Sequence, residues 1–522
     1  WPIAGTTGYD FLNLMCGLFI DPAGEDALTR TYEECAGEQI DFASLVRECK
    51  RLVITELLAA ELNRLATLFV EICERHRRHR DYTRHDLREA LTETAVCFPV
   101  YRSYVSAADK TVAPRDEAYV SEAIESAMAE RPDLDPELFR FLKDLLLLRI
   151  AGSLESELAM RFQQLTGPAM AKGVEDTAFY RFHRLVALND VGGNPSHFGT
   201  SIARFHQACA DAQAERPLSM LASTTHDTKR SEDVRARLAL LSEIPELWRD
   251  AVIDWSGHNE RYRRNQVPDR NTEYLFYQIL VGAWPIESQR VLTYMEKAVR
   301  EAKVHTSWTK LNEHYESALR DFVNAAMSDD LFRAKIESFV TDIVLPGRIN
   351  SLAQTLIKLT APGVPDLYQG TELWDLSLVD PDNRRSVDFK MRQALLAELT
   401  SLSPEEIGAR MEDGLPKLWL IRQALHLRRT QPELFGPKGS YRPLFATGPK
   451  ADHVVAFIRG EGAISMAPRL VMGLSDGWAE TVLELPTGHW HDILTGNEHA
   501  AGTIRLAQML NRFPVALLVR KE

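Results

Sequence analysis

The chain contains an apolar run that gives way at once to a cluster of charged and hydroxyl side chains. Residues 218–222 are apolar except for Ser219, residues 223–235 read Ser-Thr-Thr-His-Asp-Thr-Lys-Arg-Ser-Glu-Asp-Val-Arg, and a helical pattern follows. A polar cluster between a strand and a helix is where barrel enzymes carry their catalytic groups. His226-Asp227, followed by Lys229-Arg230, could hold a polyhydroxylated ligand through charged hydrogen bonds. The alternative is an Asp or Thr helix cap with a solvated first turn.

Length, charge and cysteine spacing restrict the classes of protein to be considered. A chain of 522 residues is too long for one compact domain and predicts a large catalytic body with appended domains. The net charge of −13 argues against nucleic acid or an anionic membrane as the main partner. Six cysteines without C-x-x-C spacing predict reduced core thiols in a cytosolic protein and imply no metal site. Because the 522 residues contain no secretory h-region and no apolar run near 18 residues, we expect no segment of them to cross a membrane.

Most of the chain up to residue 345 has the spacing of α-helices. Residues 25–165 are predicted to be almost wholly helical, and the series Val46, Cys49, Val53, Leu57 and Ala60 predicts one buried face. Asp135-Pro136-Glu137 supplies a helix cap, a proline at the first helical position and an early acid. A second helical block is predicted over 231–345. The β-rich runs 453–459, 480–485 and 514–520 predict a small antiparallel β-domain.

Three further polar clusters interrupt these patterns. Gly5-Thr-Thr-Gly-Tyr-Asp-Phe11 presents Tyr9 and Asp10 together, either to bind a sugar or as a plain turn with a core tyrosine. Lys172 and Glu175, three residues apart, form either a surface ion pair or a cation and a carboxylate at a barrel rim. After Pro362-Gly363 we predict a strand whose end carries Tyr368, where barrel ligands bind; a packed loop network is the alternative.

Several of these segments resemble those of known enzymes. Residues 223–227 are similar to the fourth conserved region of the α-amylase superfamily, glycoside hydrolase family 13, and residues 362–372 to the stretch at its eighth barrel strand. Within that superfamily, the combination of segments resembles the maltooligosyltrehalose synthase family along essentially the whole chain. The segments that carry this resemblance are 5–11, 98–102, 172–181, 226–230, 273–285 and 380–385.

The resemblance implies an α/β fold with large α-helical insertions: the C-terminal part of a (β/α)8 TIM barrel, followed by a C-terminal antiparallel β-sandwich domain. The implied segments are a barrel segment over 1–24, a helical insertion over 25–165, a barrel segment with active-site loops over 166–240, a second helical insertion over 241–345, the last barrel strand and helices over 346–435, and the C-terminal β-domain over 436–522.

The resemblance also implies an activity. The expected enzyme is a cytoplasmic intramolecular transglycosylase of trehalose biosynthesis that uses no cofactor and no metal. It rearranges the reducing-end α-1,4 linkage of a maltooligosaccharide into an α,α-1,1 linkage, through a retaining mechanism with an Asp nucleophile and a Glu acid/base. Asp227 matches a third carboxylate, which stabilises the oxocarbenium-like transition state. The residues expected to bind substrate are His226, Lys229, Arg230, Lys172, Glu175, Tyr9, Asp10 and Tyr368.

The chain departs from the superfamily pattern at the other two carboxylates. The nucleophile is expected in a segment of the form Gly-x-Arg-x-Asp-His, and none occurs in the 522 residues. The acid/base is expected just upstream of Gly5, which four residues precede. We therefore expect the C-terminal portion of such an enzyme, with the N-terminal half of the barrel as its partner and no mutase activity alone. Two other classes stay open: a different glucan hydrolase or transferase of the superfamily, and a non-catalytic glucan-binding scaffold.

Overall fold

The computed structural model describes residues 3–37, 39–109 and 111–521, whose contacts divide the chain into two compact units. The first unit comprises Trp1–Glu38, His183–Ala298 and Asn312–Glu522, and the second comprises Gln39–Phe182 and Val299–Leu311, each as far as described. These limits differ from those of the predicted segments, whose assignment to insertions and barrel segments stays a prediction.

Helices account for most of the described residues. None of the described helices is both long and apolar enough to span a membrane. The α-helices are α1 (Tyr9–Gly17), α2 (Glu25–Ala36), α3 (Phe42–Glu56), α4 (Ala59–Arg75), α5 (Arg84–Val96), α6 (Pro114–Glu130), α7 (Pro136–Leu146), α8 (Ser153–Met170), α9 (Ile202–Glu215), α10 (Glu232–Ala239), α11 (Pro245–Asn259), α12 (Arg270–Ala283), α13 (Ser288–Ala302), α14 (Glu313–Ser328), α15 (Asp330–Thr360), α16 (Phe389–Glu398), α17 (Pro404–Ala409), α18 (Leu415–Thr430) and α19 (Leu506–Met509).

The second unit packs helices α3 to α8 around one apolar core. Each helix has apolar side chains every three or four residues, and packing the helices together removes these stripes from water. The helical pattern predicted for residues 25–165 is confirmed. The buried members of this core include Leu65, Phe69, Leu91, Leu142 and Phe162.

Two local predictions in the second unit have different outcomes. The cap before α7 is confirmed, because Asp135 Oδ1 accepts a hydrogen bond of 2.9 Å from the main-chain N of Glu137. The single buried face predicted over residues 46–60 is wrong. Helix α3 ends at Glu56, and Leu57, which follows it, is 50% exposed. The regular spacing therefore continues across a break between two helices.

The first unit contains a two-stranded parallel sheet formed by β1 (Met220–Leu221) and β2 (Val364–Pro365). Main-chain hydrogen bonds of 2.9 Å join the two strands. Parallel strands need a long crossover connection, and here the crossover includes helices α10 to α15. The strand predicted after Pro362-Gly363 is thus confirmed. Within the described residues, the parallel sheet has these two strands and no others.

The end of the first unit is an antiparallel sheet, which confirms the predicted antiparallel β-domain, while its description as a sandwich stays a prediction. The strand order is β3-β4-β5-β8-β6-β7. Because β8 pairs with β5 on one side and with β6 on the other, the six described strands are joined in one hydrogen-bonded sheet. An antiparallel bridge between Thr447 and Val482 also joins the segment after β3 to the start of β6. The strands are β3 (Tyr441–Leu444), β4 (Val454–Arg459), β5 (Ala463–Pro468), β6 (Val482–Asp492), β7 (Glu498–Arg505) and β8 (Ala516–Lys521).

Candidate active site

The glycine-rich segment before α1 lies against β1. Gly8 has a φ of 90°, which side-chain-bearing residues rarely adopt, and a Cβ at this position would lie 2.4 Å from the carbonyl oxygen of Met220. The close approach places the start of α1 at the end of β1. There the Tyr9 hydroxyl lies 3.0 Å from Thr225 Oγ1. The structure therefore brings Tyr9 to the segment predicted to be catalytic.

A tight turn after β1 carries His226 and Asp227. Thr228 Oγ1 donates to the carbonyl oxygen of Thr225 at 3.0 Å, and the main-chain N of Asp227 donates to Thr225 Oγ1 at 3.1 Å. The side chains of His226 and Asp227 are both exposed. The Asp227 carboxylate makes no hydrogen bond or ion pair with the described residues. It is thus presented to solvent beyond the carboxyl end of a parallel strand, the position where barrel enzymes bind ligands.

Helix capping does not account for the His226-Asp227 pair. Helix α10 begins at Glu232, and its cap is Ser231, whose Oγ accepts a hydrogen bond of 3.4 Å from the main-chain N of Val234. The first turn is buried, with Glu232 3% and Asp233 5% exposed. The alternative of an Asp or Thr cap with a solvated first turn is therefore wrong.

The two cations that follow the turn are buried. Lys229 is 4% and Arg230 2% exposed. The Arg230 guanidinium donates to the carbonyl oxygens of Val186 and Asn189 at 3.2 and 3.3 Å, and to the Tyr294 hydroxyl at 2.9 Å. These bonds fix the neighbouring backbone, so Arg230 is a structural anchor in this structure. Contact of Lys229 or Arg230 with a ligand stays a prediction.

The loop after β2 reaches the same turn through a residue that the sequence reasoning did not select. The Tyr368 hydroxyl donates to the carbonyl oxygen of Asn383 at 3.1 Å. Asn383 Nδ2 in turn donates to the carbonyl oxygens of Thr225 and His226, each at 3.3 Å. Tyr368 is thus linked to the His226-Asp227 turn through Asn383. The resemblance marks segment 380–385. The contact of Asn383 with the turn spans more than 150 residues of chain and has no local signal in the sequence.

Asp10 has a different environment from Tyr9. It is exposed in the first turn of α1 and its carboxylate lies 3.2 Å from a guanidinium nitrogen of Arg216. Both residues line a cavity of about 360 Å³ that the His226-Asp227 pair does not line. A role for Asp10 in binding substrate stays a prediction, and this cavity is not the site around the turn.

Lys172 and Glu175 lie in the second unit, in a π-helical turn, Ala171–Glu175, that continues α8. Lys172 is 58% exposed and its Nζ lies 2.6 Å from Asp176 Oδ2, so it forms an ion pair with the residue four positions on. Glu175 is 5% exposed and accepts a hydrogen bond from the Tyr101 hydroxyl. Single π-helical turns within helices frequently mark functional sites. The position of Lys172 and Glu175 at a barrel rim stays a prediction.

A buried group of four charges lies at the start of α10. Lys417 Nζ is 2.8 Å from Glu232 Oε1 and 2.9 Å from Asp233 Oδ2, and Lys358 Nζ is 3.2 Å from Glu232 Oε2. Burial raises the pKa of Glu232, but the two lysines more than offset this and the pKa is lowered. Burial raises the pKa of Asp233. Since all four side chains are at most 5% exposed, they are not placed to contact a ligand.

Metal coordination has no counterpart in the described part of the chain. No group of three or more His, Cys, Asp or Glu side chains is arranged there to hold an ion. The polar groups around the turn are instead carboxylate, imidazole, hydroxyl and amide groups, which bind sugar hydroxyls through hydrogen bonds.

Comparison with known proteins gives one consistent result. No family model matches the chain. Two curated relatives from Mycobacterium tuberculosis, strains CDC 1551 / Oshkosh and ATCC 25618 / H37Rv, are named maltooligosyl trehalose synthase. Each is 37% identical to this chain over an alignment of 530 residues, which covers 99% of this chain and 63% of the relative. The chain therefore spans about five eighths of the length of these relatives.

Solved structures agree with the curated relatives. Maltooligosyltrehalose synthase from Arthrobacter ramosus is 40% identical and superposes with a TM-score of 0.88. The match covers 100% of this chain and 64% of that one. A hypothetical maltooligosyl trehalose synthase from Sulfolobus tokodaii is 27% identical and superposes with a TM-score of 0.77. The match covers 100% of this chain and 63% of that one. By sequence and by fold, the chain is a homologue of the maltooligosyl trehalose synthases along essentially its whole length.

Proposed function

We propose that this chain takes part in the intramolecular conversion of maltooligosaccharides into maltooligosyl trehaloses, in the cytoplasm. The observation that carries the proposal is the match along 99% of the chain to proteins named for this reaction. The exposed carboxylate of Asp227 beyond a parallel strand supports it, because glycoside-transferring barrels bind sugars at that end of the strands.

The proposed reaction consumes no water. A carboxylate nucleophile attacks the anomeric carbon at the reducing-end α-1,4 linkage, and an acid/base carboxyl group gives its proton to the departing 4-oxygen. The released glucose turns over, its anomeric hydroxyl loses a proton to the same group, and its oxygen attacks the glycosyl-enzyme to form the α,α-1,1 linkage. No segment of the 522 residues matches the nucleophile motif, so we propose that the first half of a barrel supplies both groups and that this chain alone is inactive.

Asp227 is proposed to stabilise the transition state. A carboxylate that accepts hydrogen bonds from sugar hydroxyls favours the positive charge that develops at the anomeric carbon. Such bonds are worth several kcal/mol when they tighten in the transition state. Asp227 is suited to this role because its carboxylate is exposed and uncommitted among the described residues. His226 would donate to neighbouring hydroxyls, and Tyr9, held at the turn through Thr225, would contact the sugar.

Retention of the released glucose is the second proposed requirement. Glucose that diffuses away leaves the glycosyl-enzyme to water, and the outcome is then hydrolysis. We assign retention to Lys172 and Glu175 of the second unit. Contact of Lys229 and Tyr368, in the first unit, with substrate is a separate proposal. The exposed ammonium group of Lys172 and the Glu175 carboxylate, which Tyr101 orients, supply one donor and one acceptor for this purpose.

The test uses the full-length enzyme with maltopentaose and analyses the products by NMR. A non-reducing product with an α,α-1,1 linkage is expected. Release of glucose or formation of α-1,6 links would indicate another member of the superfamily, and binding without turnover would indicate a scaffold. Asp227→Asn should lower kcat by about 100-fold, the equivalent of about 3 kcal/mol. Asp250→Asn, an exposed aspartate on α11, is the control and should leave kcat unchanged. The 522-residue chain alone should form no product.

A further inference from the structure

The loop that contains Asp380-Pro-Asp-Asn-Arg-Arg385 is fixed on one side by α13. Arg290 Nε and Nη2 donate to Asp382 Oδ1 and Oδ2, each at 2.8 Å. The main-chain N of Leu378 also donates to Asp382 Oδ2 at 2.8 Å. A two-point bond between a planar guanidinium and a carboxylate sets direction as well as distance. The loop is therefore held in one orientation by a helix.

On its other side, this loop holds the His226-Asp227 turn. Asn383 Nδ2 has two protons and lies 3.3 Å from each of two carbonyl oxygens, those of Thr225 and His226. The Asn383 side chain is 6% exposed, and its Oδ1 is buried without a hydrogen-bond partner among the described residues. A buried carbonyl left in that state destabilises the fold, so the amide is not there to maximise stability.

We propose that Asn383 is a positioning residue, which sets the direction of the Asp227 carboxylate through the backbone of the turn. The inference rests on the proposed function for its effect on the reaction. Thr225 O accepts from Thr228 Oγ1 as well as from Asn383. His226 O, next to Asp227, accepts from Asn383 Nδ2 at 3.3 Å and from Arg384 Nη2 at a longer 3.5 Å. Loss of Asn383 therefore removes the shorter of the two side-chain hydrogen bonds to the peptide that leads directly into Asp227 and leaves the 3.5 Å bond from Arg384.

The chemistry of the amide makes the proposal specific. An aspartate at position 383 would have the same shape, but an ionised carboxylate has no proton to donate and would face two carbonyl oxygens. Asn383→Asp should consequently disturb the turn more than Asn383→Ala does. A merely space-filling role would predict the opposite order, because aspartate preserves the volume of asparagine.

Asn350 provides a matched control. It is fully buried in α15, its Nδ2 donates to the carbonyl oxygen of Ala236 at 3.2 Å, and its Oδ1 also has no partner among the described residues. Asn350→Ala thus removes the same kind of buried side chain, and with it a hydrogen bond of the same kind, from α15 to a main-chain carbonyl of α10. Its effect on stability should resemble that of Asn383→Ala, and its effect on the turn should not.

The first measurement is hydrogen exchange of the amides of residues 223–230 in the folded chain, which requires no activity. Asn383→Ala should speed this exchange by about tenfold, Asn383→Asp should speed it more, and Asn350→Ala should leave it within about twofold of the wild type. Unchanged exchange in Asn383→Ala, or equal acceleration in Asn350→Ala, would overturn the proposal.

The second measurement is the rate of maltopentaose conversion by the full-length enzyme. Because small misplacements of a reacting group cost up to about a hundredfold, Asn383→Ala should lower kcat by about ten- to a hundredfold and change KM by less than about threefold. A kcat equal to that of the wild type, or a loss that Asn350→Ala reproduces, would contradict a positioning role. A wild-type enzyme that forms no α,α-1,1 product would refute the proposed function, while the exchange data would still decide the role of Asn383.

Discussion

Lys417 is the most informative position for testing how the start of α10 is held. It is fully buried between two carboxylates, at 2.8 Å from Glu232 and 2.9 Å from Asp233, while Lys358 lies 3.2 Å from Glu232. The four formal charges cancel. Lys417→Met keeps a similar apolar stem but leaves one negative charge in excess in a site where no more than 5% of any of these side chains is exposed.

The free energy of unfolding should fall strongly in Lys417→Met, because the substitution removes one partner from a buried ion pair. Removal of one charge from such a pair destabilises a protein by about 3–5 kcal/mol, since the other charge stays buried and uncompensated. Glu232 retains Lys358, so the uncompensated group is Asp233. Replacing Asp233 by Asn in the Lys417→Met background restores zero net charge, and we expect this double variant to recover about half of the loss.

Urea unfolding at pH 7 measures both the stability lost in Lys417→Met and the stability recovered in the double variant. The slope of the transition checks that the unfolded state is unchanged. At this pH Glu232 is ionised, because its pKa is lowered. The stability that the lowered pKa confers is fully present at pH 7 and is lost only as the pH falls below the ordinary pKa of a glutamate. The raised pKa of Lys417 likewise keeps it charged well above pH 7. A loss below about 1 kcal/mol, or a double variant no more stable than Lys417→Met, would refute the reasoning.

Two further predictions concern backbone and pH. Gly8→Ala should destabilise the fold by at least about 2 kcal/mol in urea unfolding, because it adds a clash with Met220 to a left-handed φ. Gly37→Ala, with a φ of 77° and no atom within 4 Å, should cost only about 1 kcal/mol. Burial raises the pKa of Glu243 from 4.5 to about 8, so wild-type stability should fall as the pH rises between these values. Glu243→Gln should have a higher Tm than the wild type at pH 9 but not at pH 5. An equal Tm difference at both pH values would be evidence against the raised pKa of Glu243 as the cause.

The helices were accessible from the sequence because their signals are local. The cap at Asp135 and the spacing of apolar residues after it depend on neighbours within one or two turns. The break at Leu57 was missed because apolar spacing can continue through a change of helix. Strands β1 and β2 have two residues each, too few for a periodic pattern. The sequence indicates β1 by the short apolar run before a polar cluster, and β2 by the Pro362-Gly363 pair that precedes it.

The site was predictable only in part, for the same reason. His226 and Asp227 stand out as polar residues after an apolar run, and their exposure fits that interpretation. Arg230, four residues from His226, has the same composition signal but is buried among carbonyl oxygens. Which of several polar neighbours faces solvent depends on parts of the chain far away in sequence. The link from Asn383 to His226 is of that kind.

The place of β8 in the sheet has a consequence for how the protein is made. Apart from a single bridge between Thr447 and Val482, the described strands β3, β4 and β5 pair with β6 and β7 by way of β8, which follows all of them in sequence. During synthesis the strands of both parts of the sheet are therefore made before the strand that joins them. Until then β5 and β6 each present an unpaired edge, and such edges are where growing chains aggregate. A chain truncated before residue 516 would lack β8 and would leave both edges open.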